Sequence, residues 1–74
     1  MNQTKLYSIS DLLERMKEKG LPASRMWLRK VEEQGKLICP RLPNTRGDRV
    51  FTLVQIYEII EAFSPGGQGE WKYD

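Results

Sequence analysis

Seven cationic side chains crowd the middle of this 74-residue chain: Arg25, Arg29, Lys30, Lys36, Arg41, Arg46 and Arg49. Against them stand Glu32, Glu33 and Asp48, so residues 25–49 carry a net charge of +4, while residues 1–24 carry +1 and residues 50–74 carry −3. A guanidinium presents a rigid fork of donors that fits a phosphate or the paired acceptors on a guanine edge. Met26, next to Arg25, offers the apolar contact that a thymine methyl takes. The pattern suits a polyanionic partner. The plainer reading is a solvated helix face, which is preferred for a basic helix taken alone. The stretch "RLPNTRGDRVFT", residues 41–52, poses the same choice between a surface turn and a basic finger reaching toward phosphates.

Other chemistries lack their parts. The sequence has no histidine, and its lone cysteine, Cys39, lies between Ile38 and Pro40 with no basic partner nearby, so no enzyme is expected. Cys39 reads as a small buried hydrophobe in a reducing compartment. No cysteine–histidine set exists for zinc, and no metal or other cofactor is expected. "SPGGQGE" follows a helical pattern and has no P-loop lysine, so its glycines read as tail. The length argues for one domain with a core too small for a large substrate cavity. No apolar run reaches membrane-span length, and "MNQTKLYSIS" lacks an apolar signal core, so a cytoplasmic protein with no membrane partner is expected.

The elements that must position the cations follow from local patterns. In "YSISDL", Ser8 caps a first helix, Asp11 closes the box, and Tyr7 and Leu12 form a staple. This helix runs from about Ile9 to Lys19 and stops at Gly20. A second helix begins between Pro22 and Ser24 and ends before Gly35, with Trp27, Leu28 and Val31 in one apolar arc. "KLICPRL", residues 36–42, is an edge or irregular strand because of Pro40, and "RVFT" is predicted to pair back on it across a turn at "PNTRGD". In "FTLVQI", Thr52 caps and Gln55 closes a second box, with Phe51 and Ile56 as its staple. Leu12, Leu28, Val31, Ile56 and Ile60 are expected to share one core. The predicted fold is mainly α with a small β-hairpin, in the order helix, helix, hairpin, helix. Residues 1–64 form the domain and 65–74 a short tail, in which Trp71 and Tyr73 either fold back or stay disordered.

On these residues the sequence resembles the winged helix-turn-helix DNA-binding domain of MerR-type regulators and the related excisionase-like domains, over roughly residues 7–63. The resemblance rests on Tyr7 and Ile9, then Leu28, Arg29, Val31, Glu32, Gly35 and Leu37 in "LRKVEEQGKL". It continues through Pro40 and Arg41 to Gly47, Arg49, Phe51 and Thr52, and on to the helix "TLVQIYEII". Val31 stands where the family carries an aromatic residue, and Trp27 where a small polar one is common.

The resemblance implies sequence-specific binding of duplex DNA by a small transcriptional regulator or recombination directionality factor. The chain ends after the third helix, so no effector-sensing role and no small-molecule effector are expected. The second helix would enter the major groove and the hairpin would act as the wing. Expected DNA contacts are Arg25, Met26, Arg29, Lys30, Lys36, Arg41, Arg46 and Arg49. A dimer or cooperative assembly on repeated half-sites is expected, and association with the nucleoid when DNA is bound. The rival is a winged-helix protein-interaction module anchored by Met26, Trp27, Trp71 and Tyr73.

Overall fold

The structure, a computed structural model, describes residues 5–43 and 48–73. It is a small mixed α/β unit of three helices, α1 (Ile9–Glu18), α2 (Arg25–Glu33) and α3 (Leu53–Phe63). Two short strands, β1 (Leu37–Ile38) and β2 (Trp71–Lys72), pair in parallel with Leu37 opposite Trp71 and Ile38 opposite Lys72.

Both predicted capping boxes form. Ser8 and Asp11 satisfy each other's backbone N–H groups at α1, and Thr52 and Gln55 do the same at α3. The residues just before the two caps, Tyr7 and Phe51, pair with each other in an antiparallel bridge, with N–H···O distances of 2.7 and 2.9 Å. One bridge thus ties the starts of α1 and α3 together. Helix α2 begins at Arg25, one residue beyond the predicted range of starts: Ser24 is its N-cap, accepting from the Trp27 N–H at 3.1 Å, and Pro22 and Ala23 lie outside the helix. Its other end is a Schellman motif. Gly35 takes a φ of +72°, which places its N–H on the Glu32 carbonyl and the Lys36 N–H on the Val31 carbonyl.

The core is entirely apolar among the described residues. Leu12, Leu28, Val31, Ile56 and Ile60 are buried in one cluster, as expected, and Leu13, Met16, Leu37, Phe51 and Ile59 join them. Trp27 packs edge-on against Phe63, with ring centroids 5.2 Å apart.

The β structure departs from expectation in two places. Residues Leu37 and Ile38 pair with the tail rather than with "RVFT". Between 36–42 and "RVFT" the described residues retain an antiparallel bridge, Arg41 to Arg49, flanked by Leu42 N–H to Asp48 and Val50 N–H to Pro40 carbonyl bonds of 3.0 Å each. Pro40 has no N–H to give a ladder, so its carbonyl alone takes part. Phe51 turns away to Tyr7. Of the two readings of the tail, packing holds: Trp71 donates its N–H to the Lys36 carbonyl at 2.8 Å and lies against the core. The predicted turn tip at residues 44–47 lies outside the described residues.

Candidate nucleic-acid interface

Helix α2 presents its charges because its apolar residues have somewhere to go. Leu28 and Val31 are buried and Trp27 is half-buried on Phe63. At roughly 100° per residue, Arg25 and Arg29 then lie about 40° apart on the outward side, with Met26 and Lys30 following round. All four are exposed, and Met26 is 80% exposed despite being apolar. The first turn of α2 holds no carboxylate, so Arg25 adds to the positive end of the helix dipole. Arg25 Nη2 donates to Ser10 Oγ of α1 at 3.2 Å, which orients its guanidinium between the two helices. Arg29 pairs with Glu33 one turn on at 3.8 Å, with both side chains open to solvent. Such a pair contributes only about 0.3–0.5 kcal/mol and yields readily to a phosphate.

Glu32 organises the other half of the site. Its carboxylate accepts from Arg49 Nε at 2.9 Å and Nη2 at 2.5 Å, a two-pronged pairing. Arg41 Nη2 lies 3.5 Å from the same carboxylate. The Glu32 side chain is 17% exposed and that of Arg49 27%. The Arg49 hydrogen bonds hold the Glu32 carboxyl below its usual range, outweighing the opposing effect of burial, and Arg41 adds to the same shift. The nearby thiol of Cys39 lowers it further. Burial, reinforced by the negative charge of Glu32, pushes that thiol up to about 12, so it stays protonated at neutral pH.

Two shallow concavities meet at this cluster. One is bordered by Arg25, Met26, Arg29, Glu32 and Arg49. The other shares Arg25 and Arg49 and adds Arg41 and Asp48, beside Tyr7 and Ser8. Five of the eight expected contact residues are thereby gathered: Arg25, Met26, Arg29, Arg41 and Arg49. Lys30 and Lys36 are exposed but border neither concavity. Arg46 lies outside the described residues. Arg49 is placed differently from expectation, since its guanidinium is turned inward onto Glu32. Helix spacing alone would leave Glu32 in solvent or pair it with Arg29 or Lys36, whereas the fold gives it to Arg49 and Arg41.

Two features escaped sequence reasoning. The Arg49–Glu32 pairing spans 17 residues, beyond the reach of helix-neighbour rules. A signal existed, since Glu32 falls only about 40° from Leu28 around the helix, at the margin of the buried face. The second is a cationic pair on Tyr7, whose ring has Lys5 Nζ at 5.1 Å and Arg15 Cζ at 5.3 Å from its centroid. Among the described residues no cluster of metal-ligating side chains occurs, and no helix is long and apolar enough to cross a membrane. No protein-family model matches this chain, and neither a curated protein nor a solved structure does.

Proposed function

We propose that this chain binds duplex DNA as a winged helix-turn-helix domain of the MerR-like or excisionase-like kind. It acts as a non-catalytic regulator or recombination factor in the cytoplasm, associated with the nucleoid. Helix α2 enters the major groove, and the segment around the Arg41–Arg49 bridge is the base of the wing. The observation that supports this best is the outward row Arg25, Met26, Arg29 and Lys30 on a helix whose other face is buried, set beside a basic loop fixed to that same helix through Glu32.

The roles divide by geometry. Arg25, steadied by Ser10, reads a base edge, and Met26 meets a thymine methyl. Arg29 releases Glu33 to take a base or a phosphate. Lys30, Lys36 and Arg41 take phosphates, and Arg46 extends the wing contact to the backbone. Arg49 is a positioning residue, holding the wing base on α2 through Glu32. One module of this size gives limited specificity, so binding as a dimer or on repeated half-sites is part of the reading.

The test is selection from random duplex DNA followed by a base-by-base profile for each variant. Arg25→Ala costs about 1–3 kcal/mol at the preferred site and relaxes particular base pairs. Arg41→Ala and Arg46→Ala weaken all duplexes by a similar factor. Absence of binding to any duplex at low salt, with the fold verified, would leave the protein-interaction module as the better reading.

A further inference from the structure

On the side of the molecule built by α3 and the tail lies an open groove of about 720 Å³. Its apolar residues are Val54, Tyr57, Ala62, Pro65 and Trp71. Val54 and Tyr57 stand one helical turn apart and are 66% and 53% exposed, an unusual placement for large apolar side chains in so small a molecule. Around them stand three carboxylates, Glu58, Glu61 and Glu70. Glu70 is 3.4 Å from Lys72, while neither Glu58 nor Glu61 has an ion pair among the described residues. The Trp71 indole N–H donates to Glu58 at 3.1 Å, and the parallel pairing of β2 with β1 holds Trp71 in place. The groove therefore has a preset aromatic wall and an oriented negative rim.

We infer that this groove docks a basic, apolar segment of a partner protein, its Leu- or Ile-type side chains against Val54, Tyr57 and Trp71 and its Lys or Arg side chains against Glu58 and Glu61. Charge complementarity selects this occupant. The last third of the chain carries a net −3, which repels nucleic acid and favours a cationic partner. An exposed Tyr and a half-buried Trp beside carboxylates are side chains of the kind that anchor such contacts. The inference stands on this groove alone and does not require that the α2 surface bind DNA.

The experiment uses the full chain, isotopically labelled, titrated with a synthetic amphipathic peptide of leucine and lysine and with its leucine–glutamate counterpart. The lysine peptide is expected to shift the amide resonances of Val54, Tyr57 and Trp71, and the glutamate peptide to leave them in place. Val54→Ser with Tyr57→Ala, both at exposed positions, should weaken lysine-peptide binding at least about tenfold. The same variant should keep the parent melting temperature and any duplex-DNA affinity the parent has. Glu58→Gln with Glu61→Gln should weaken the peptide while leaving the melting temperature unchanged. Equal binding of the two peptides, shifts centred on α2, or no binding at all would overturn the inference. So would concentration-dependent self-association that the Tyr57 variant abolishes, because a second copy would then be the occupant.

Discussion

At Glu32 a single carboxylate carries two jobs, fastening Arg49 and drawing in Arg41. Because its folded pKa is depressed below the ordinary 4.5, the clamp stabilises the protein fully above the unfolded value and is lost as the pH falls through the folded one. Glu32→Gln should therefore cost about 1–3 kcal/mol at neutral pH, since it leaves a partly buried guanidinium without its counter-charge. The gap between parent and variant should close as the pH is lowered beyond about 4.5, once the parent carboxylate is protonated in both states. Urea titrations of both proteins across the acid range measure it. A gap of constant size would mean that shape rather than charge holds the Arg41–Arg49 bridge against α2. The sequence revealed the cations here but not their partner. Local spacing offered Arg29 and Lys36, and only the folded chain brings Arg49 to the margin of α2. By contrast, the chemical quiet of Cys39 was legible from its apolar neighbours, and its thiol is accordingly pushed up to about 12.

Among the elements, those specified by their own ends were legible. "SISD" and "TLVQ" contain the donors and acceptors of their caps within four residues, so no distant partner was needed. Apolar periodicity placed Leu28 in the core correctly because the buried face of α2 is continuous. Leu28→Ala should lower stability by about 2–5 kcal/mol, a large share for a domain this size, and an unchanged melting temperature would contradict that packing. The strands were not legible in the same way. Two residues of β1 and two of β2 acquire their conformation from each other across the length of α3, and no local propensity in "EWKYD" announces that pairing. Nor did "SPGG" disclose its full role. Read as tail, it requires a bare backbone at Gly67, where an added Cβ would overlap the Glu61 and Ala62 carbonyls. Gly67→Ala should cost about 1–3 kcal/mol through that overlap and loosen the tail. Faster hydrogen exchange at the Trp71 and Tyr73 amides, which bond to Lys36 and Ile38, would report it. Retained protection at both amides would show that the turn absorbs the methyl without moving the strand.

Across the whole molecule, charge is sorted along the chain. Residues 25–49, which include α2 and the Arg41–Arg49 bridge, carry +4, and residues 50–74, which include α3 and the tail, carry −3. A uniformly mixed surface would bind a polyanion weakly through whichever cations happened to face it. A sorted one has a direction, attracting phosphate on one side and repelling it on the other. If the α2 side neutralises about four phosphates, the logarithm of the DNA association constant should fall with the logarithm of salt concentration at a slope of about −3.6. Arg41→Ala should reduce the steepness by about one unit, because it removes one phosphate contact. Tyr57→Ala, on the acidic side, should leave the slope untouched. Fluorescence anisotropy of a labelled duplex, followed over a salt series for the three proteins, gives all three slopes. If Tyr57→Ala changed the slope while Arg41→Ala did not, the DNA would lie on the α3 side, and the assignment of α2 as the reading helix would fail.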